Sequence, residues 1–109
     1  MELIKIYDKT CDICSMLSGL DEQLAEDAGM FFRQITVGDC AQTPSPLRDY
    51  VVNVHVNPAD GQVDIPIYLV VTPQGQIQGS RVAKTIKDVQ DLLTSWQKWD
   101  TTQNASSAP

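Results

Sequence analysis

The arrangement near the N-terminus constrains the fold most. A short apolar segment at residues 3–7 is followed closely by Cys11 and Cys14, spaced as Cys-x-x-Cys. The segment is apolar and β-branched except for Lys5, which predicts a largely buried strand. Apolar residues then recur at intervals of three and four over residues 13–28, which predicts one amphipathic helix. Its predicted apolar stripe consists of Ile13, Met16, Leu17, Leu20, Leu24 and Ala28. The cysteine pair should therefore lie where a strand passes into a helix.

The rest of the chain predicts further strands and helices in alternation. Strands are predicted at residues 30–37, 67–71 and 76–80, and helices beginning at Pro46 and Ile86. Ser45 suits an N-cap and Pro46 the first helical position, while Thr85 to Asp88 has the spacing of a capping box. This order is satisfied by an α/β fold with a central mixed four-stranded sheet flanked by helices on both faces.

The composition narrows the range of functions. A chain of 109 residues with 42% hydrophobic residues can build one domain, predicted at residues 1–99, followed by a small polar, disordered tail at residues 100–109. The net charge of −6 argues against nucleic acid or a membrane surface as a partner. No signal peptide or membrane-spanning segment is evident, so a soluble, cytoplasmic protein is expected.

The cysteine pair carries the predicted chemistry. Cys11 lies at the predicted helix start, where unpaired N–H groups and the helix dipole favour a thiolate, so its pKa should fall below the free value of about 8.5. Cys11 is therefore the predicted nucleophile. Cys14 lies about one turn later, on the buried side of the helix, where it can attack a mixed disulfide formed at Cys11. Cys14 is thus the predicted resolving thiol.

The cysteine motif, the order of elements and the Ile65-Pro66 step before the central strand together resemble the thioredoxin and glutaredoxin family. The resemblance spans roughly residues 3–96. It implies a thioredoxin-like fold, a cis proline at Pro66, and a docking role in which the backbone of Ile65 pairs with a substrate chain. It also implies a protein-disulfide reductase that transports electrons through a reversible Cys11–Cys14 disulfide, with no other cofactor and no metal. Disulfide-containing client proteins and an upstream reductase are the implied partners, with ribonucleotide reductase a conceivable client.

The motif Cys-Asp-Ile-Cys differs from the usual thioredoxin motif, so the chain resembles an atypical member of that family. Asp12 places an anion beside Cys11, which opposes the thiolate and predicts a reducing couple. Lys5 takes the place where thioredoxins bury an acidic residue, so it either modulates the pair or extends to solvent. The glycine pair with which glutaredoxins hold glutathione is missing after Gly75, so a glutathione site is not supported.

Two alternative functions, and the roles of Cys40 and His55, remain open from the sequence. Cys11, Cys14, Cys40 and His55 could form a Cys3His zinc site, although only the first two have the expected close spacing. The chain could instead be a non-catalytic thioredoxin-like interaction module with incidental cysteines. Cys40 is expected to be a small residue in a loop after the second strand, or else a regulatory thiol, and His55 a surface or hydrogen-bonded histidine.

Overall fold

The structure is a computed structural model, of which residues 1–95 are described. Its elements are β1 (Glu2–Tyr7), α1 (Asp12–Leu17), α2 (Leu20–Asp27), β2 (Phe31–Thr36), α3 (Val37–Gln42), α4 (Pro46–Val54), β3 (Ile67–Val71), β4 (Ile77–Val82), and helical residues 86–95, labelled α5. Helical spacing predicts that Trp96 and Trp99 pack in the core and at the end of the last helix, but both residues and the tail predicted at residues 100–109 lie outside the described residues. The predicted domain boundary at residue 99 therefore stays a prediction.

The four strands form one mixed sheet in the order β2-β1-β3-β4. β1 pairs in parallel with β2, whereas the β1–β3 and β3–β4 pairs are antiparallel. All five residues of β3 are buried, as expected for an apolar strand at the centre of a sheet. Because β1 and β3 are antiparallel with Ile6 opposite Ile67, the C-terminal end of β1 and the N-terminal end of β3 lie at the same end of the sheet.

Apolar side chains pack on both faces of the sheet. Side chains alternate along a strand, so Tyr68 and Val70 of β3 face one side while Leu69 faces the other. The first side packs against α1, α2 and α5, and its cluster includes Leu3, Leu17, Ala25, Val89 and Leu93. The second side packs against α3 and α4, and its cluster includes Ile4, Ile67, Cys40 and Val51. The predicted α/β fold with helices on both faces is confirmed.

The prediction of one helix over residues 13–28 is wrong. The chain breaks between α1 and α2, where Ser18 is extended and Gly19 has a φ of 85°, a conformation that glycine adopts without steric cost. The predicted apolar stripe is also misplaced, because Met16 and Leu20 are 59% and 54% exposed. The buried positions of the two helices are Cys14, Leu17, Asp21 and Ala25.

Local signals elsewhere are confirmed. Ser45 caps α4 by accepting a hydrogen bond from the Arg48 N–H at 3.1 Å. In the first turn of α5, Asp88 Oδ2 accepts hydrogen bonds from the N–H groups of the preceding residues Lys84 and Thr85 at 2.8 and 3.2 Å. The predicted position of Cys40 in a loop is wrong, because Cys40 lies in α3.

None of the helices within residues 1–95 is long and apolar enough to cross a membrane.

Candidate functional site

Cys11 and Cys14 are joined by a disulfide at the start of α1, with their Cα atoms 5.2 Å apart. Cys11 is the N-cap residue, and its Sγ accepts a hydrogen bond from the Cys14 N–H at 3.1 Å. Sulfur thus takes the capping role that an oxygen side chain fills in most helices, and a charged sulfur would accept this bond more strongly. The predicted position of the pair, at the passage from a strand to a helix, is confirmed.

The two cysteines differ in exposure. Cys11 is partly exposed, whereas Cys14 is only 3% exposed and faces the sheet. The difference arises because Cys11 precedes the helix, while Cys14 shares the buried side of α1 with Leu17. An attacking or attacked sulfur must be reachable, and Cys11 meets this requirement better than Cys14.

A buried ion pair lies beside Cys14. Lys5 Nζ donates a hydrogen bond to the Cys14 carbonyl oxygen at 2.9 Å and lies 2.6 Å from Asp21 Oδ2. Both charged side chains are 1% exposed. The Tyr68 hydroxyl donates a hydrogen bond to the same Asp21 oxygen at 2.7 Å. Of the two positions that the sequence left open for Lys5, the structure shows the buried one, against the backbone of Cys14, and not the one that extends to solvent.

The sheet register explains how this network forms. Lys5 of β1 is directly opposite Tyr68 of β3, so both side chains project from the same face of the sheet towards α1 and α2. Burial, together with the hydrogen bond to Asp21 and its negative charge, raises the pKa of Tyr68 above its ordinary value. Tyr68 therefore keeps its proton and acts as a hydrogen-bond donor to the carboxylate.

Sequence reasoning missed Asp21 and Tyr68. The available signal was Lys5 within an otherwise apolar strand, because a buried ammonium group requires a partner of opposite charge. Asp21 occupies the helical position four residues after Leu17 and four before Ala25, both of which are apolar and buried. An acid in that position was the candidate partner, although the sequence did not show that α2 would pack over Lys5.

Two further acids lie near the pair. Asp12 is exposed in the first turn of α1, consistent with its predicted place beside Cys11. Asp8 stabilises the loop before Cys11, because its carboxylate accepts hydrogen bonds from the backbone N–H and the hydroxyl of Thr10, each at 3.0 Å. These hydrogen bonds lower the pKa of Asp8, so its charge persists at neutral pH.

A cavity of about 270 Å³ adjoins the pair on the side of Cys14. Lys5 and Cys14 line its inner part, and the exposed residues Lys9, Ser15 and Ser18 line its outer part. The cavity therefore connects the surroundings of the buried cysteine with solvent.

The peptide bond between Ile65 and Pro66 is cis, as the family resemblance implies. Pro66 is buried and its carbonyl oxygen accepts a hydrogen bond from the Ala83 N–H at 3.1 Å, while Ile65 is partly exposed. Pro66 immediately precedes β3, so it lies at the end of the sheet where β1 leads into the cysteine loop. The structure thus places the proline and the cysteines at one end of the sheet.

Cys40 and His55 do not join the cysteine pair. Cys40 is buried in the apolar cluster against α3 and α4, and burial raises the pKa of its thiol despite the opposing charge of Arg48. His55 Nε2 forms a hydrogen bond with Ser80 Oγ at 2.7 Å. Within residues 1–95, no three His, Cys, Asp or Glu side chains gather as possible metal ligands, so the Cys3His alternative is not assembled there.

The environment of His55 predicts a pH-dependent stability. Burial lowers its pKa from 6.5, so the folded chain favours the neutral ring more than the unfolded chain does. The unfolded chain consequently binds more protons as the pH falls below about 6.5, and the free energy of unfolding should decline there. Urea unfolding between pH 7.5 and 5.0 measures this decline, in a range where Asp8 and Asp88 stay ionised. His55→Gln should flatten the decline, and an equal slope in that variant would refute the assignment.

Comparison with solved structures identifies the fold. The chain is similar to the reduced thioredoxin pre-protein of Schistosoma mansoni, with a TM-score of 0.61 and 19% sequence identity over 85% of this chain and 75% of that chain. No protein-family model and no curated protein sequence matches. The structural similarity confirms the predicted thioredoxin-like fold. A disulfide between closely spaced cysteines on this fold is suited to redox chemistry.

Proposed function

We propose that this chain is a thiol-disulfide oxidoreductase that donates electrons to disulfides in client proteins. One observation carries the proposal: the Cys11–Cys14 disulfide combines a partly exposed capping sulfur with a buried one. Cys11 is the nucleophile, since it is accessible and its sulfur receives the Cys14 N–H hydrogen bond. Cys14 is the resolving thiol, because it is within bonding distance of Cys11 but shielded from clients.

The proposed reaction has two exchange steps. The Cys11 thiolate attacks one sulfur of a client disulfide, forms a mixed disulfide and releases the other client sulfur as a thiolate. Cys14 then loses its proton and attacks Cys11, which forms the Cys11–Cys14 disulfide and releases the second client sulfur. The client gains two electrons and the dithiol is oxidised, so an upstream reductase must return two electrons for the next cycle. The reversible disulfide is the only redox group in this scheme.

The proposed docking site consists of Ile65 and Pro66. An extended client segment would pair with the backbone of Ile65, next to the end of the sheet that leads to Cys11. Proteins with accessible disulfides are the proposed clients, with ribonucleotide reductase one candidate, and the acidic chain argues against nucleic acid and membrane surfaces as partners. A cytoplasmic location is proposed because disulfide reduction suits a reducing compartment.

Insulin reduction tests the proposal. The chain is supplied with electrons from a thioredoxin reductase, a ferredoxin-linked reductase or glutathione in separate assays, and insulin precipitation is followed with time. Turnover with one donor supports the oxidoreductase and identifies the electron source. Cys40→Ala should retain the activity, because Cys40 lies in the core away from the pair. If the chain is inert with all three donors and with dithiothreitol, a non-catalytic interaction module is the better interpretation.

Asp12 and Lys5 are proposed to modulate the pair. For Asp12, the expected effect is small because the carboxylate is exposed. Asp12→Asn removes an anion that opposes the Cys11 thiolate, so the reduced form should gain stability and the reduction potential should rise by about 5–20 mV. Glutathione redox titration measures the change. A lower potential in Asp12→Asn would contradict the sign of this argument.

The reduction potential of the unmodified chain is a separate expectation. With an anion beside the nucleophile, the couple should be closer to the thioredoxin value of about −270 mV than to the oxidising extreme near −120 mV. The same titration determines this potential. A value above about −200 mV would reject the proposed role as a reductant.

A further inference from the structure

We propose that Lys5, held by Asp21, is a positioning residue that stabilises the Cys14 thiolate formed during the resolving step. The inference rests on the proposed function of the cysteine pair. It assigns to Asp21 and Tyr68 a role that their sequence positions did not indicate. It also gives the two buried charges a use other than stabilising the fold.

The resolving step requires such a group because Cys14 is buried. A thiol in apolar surroundings resists ionisation, since a charged sulfur loses its hydration there. Cys14 is 3% exposed, yet it must become a thiolate before it can attack Cys11. A positive charge at close range in the same buried region would offset this cost.

Lys5 is placed to supply that charge. Its ammonium group donates a hydrogen bond to the Cys14 carbonyl oxygen at 2.9 Å, so it is anchored to the residue that must ionise. Asp21 binds the same ammonium group, and its other carboxylate oxygen accepts a hydrogen bond from the Glu22 N–H at 2.7 Å. The ion pair therefore presents its positive end to the carbonyl oxygen of Cys14.

Tyr68 and Asp21 keep Lys5 in this orientation. The hydroxyl of Tyr68 donates to the Asp21 oxygen that contacts Lys5, and the lysine Nζ lies 5.9 Å from the centre of the Tyr68 ring. With both partners buried, the lysine side chain cannot extend to solvent without leaving Asp21 unpaired, which would be costly. The network thus fixes the ammonium group against the backbone carbonyl oxygen of Cys14.

The adjacent cavity gives the Cys14 proton a route to solvent. Lys5 and Cys14 line the same cavity of about 270 Å³, whose outer residues are exposed. When Cys14 ionises, its proton passes to water in this cavity. The resulting thiolate forms the bond to Cys11 Sγ and breaks the bond between Cys11 and the client, which leaves as a thiolate. In this scheme the proton passes to water and not to Lys5 or Asp21, so the two side chains of the ion pair take no part in the proton transfer.

Titration of the Cys14 thiol tests the inference without a client. In the background Cys11→Ser/Cys40→Ala, Cys14 is the remaining thiol, and its ionisation is followed by thiolate absorbance at 240 nm. Adding Lys5→Met and Asp21→Asn together removes both charges without leaving one unpaired. The titration midpoint should then rise by about one pH unit or more. When Lys5→Met/Asp21→Asn is made in a chain that keeps all three cysteines, the rate of mixed-disulfide resolution near neutral pH should fall by a similar factor, about tenfold.

Lys9→Met is the matched control, since Lys9 lines the outer part of the same cavity but is exposed. Solvent screens its charge, so the midpoint should change by less than about half a pH unit. If Lys5→Met/Asp21→Asn leaves the midpoint unchanged or lowers it, the inference is wrong. A shift equal to that of Lys9→Met would likewise overturn it.

A second measurement keeps Lys5 and Asp21 in place, so it does not depend on the folding of a chain that lacks the ion pair. In the Cys11→Ser/Cys40→Ala chain, the ¹³Cε resonance of Lys5 should shift with the same midpoint as the Cys14 absorbance. A Lys5 resonance that is insensitive to the ionisation of Cys14 would refute the proposed coupling.

The outcomes separate this inference from the proposed function. If the unmodified chain reduces insulin while the midpoint does not respond to Lys5, only the role of Lys5 fails. If the midpoint responds but the chain reduces no disulfide with any donor, the electrostatic coupling stands and the proposed function fails.

Discussion

Cys11→Ser should lower the rate of insulin reduction by at least about a thousandfold, because it removes the nucleophile that starts the reaction. Cys14→Ser should also stop turnover, but for a different reason. In that variant Cys11 still attacks the client, and no thiol is present at position 14 to release it. Client proteins should therefore accumulate as covalent adducts that dithiothreitol reverses.

Non-reducing electrophoresis and mass spectrometry of the two variants measure this difference. Adducts linked through Cys11 should form in Cys14→Ser and be nearly absent in Cys11→Ser. Cys40→Ala/Cys14→Ser is the control for adducts through the buried third cysteine, and its yield should equal that of Cys14→Ser. Equal trapping by Cys11→Ser and Cys14→Ser would reverse or abolish the assigned roles.

The largest effect on stability is expected at the buried ion pair. Lys5→Met leaves the Asp21 carboxylate buried without its counter-charge, which should cost about 3–5 kcal/mol of unfolding free energy. This loss is a large fraction of the roughly 5–15 kcal/mol that stabilises a typical domain. Urea unfolding at pH 7 measures it. Lys5→Met/Asp21→Asn should be more stable than Lys5→Met alone, because neither charge is then left unpaired.

Lys87 provides the matched exposed control. Its ammonium group lies 3.1 Å from Asp91 Oδ2 across one turn of α5, and the lysine side chain is 77% exposed. Lys87→Met should change the unfolding free energy by less than about 1 kcal/mol, since an exposed ion pair is screened by solvent. A loss at Lys5 no greater than that at Lys87 would show that the buried pair does not control stability.

Signals contained within a few residues predicted the structure well. The Ser45-Pro46 step predicted a helix start, because the serine oxygen satisfies a free N–H and proline needs none. Strands predicted at residues 67–71 and 76–80 correspond to β3 and β4, and Gly75 in the turn between them has a φ of 85°, which glycine tolerates. These features depend on backbone geometry that neighbouring residues determine, so they can be inferred without knowing the rest of the fold.

Features that depend on packing between distant residues were predicted less well. Periodicity alone assigned Met16 and Leu20 to the buried side, because both are apolar, and gave no place there to Asp21. The structure buries Asp21 instead, since α2 packs over Lys5 and the ion pair removes the penalty for each charge. The helical break at Gly19 also escaped prediction, because an isolated glycine is compatible with a continuous helix.

The sequence by itself determined the cysteine pair, its place at a strand-to-helix junction and, through the order of elements, the α/β class. These follow from residue type and from spacing along the chain, which local backbone chemistry translates directly into structure. Helical spacing also placed Cys14 on the buried side, and only the tertiary structure decided which residues surround it there. The sheet register places Lys5 opposite Tyr68, and the packing of α2 brings Asp21 into contact with both. These residues are far apart in sequence. Their interactions therefore stabilise the protein only after the sheet and the helices have assembled.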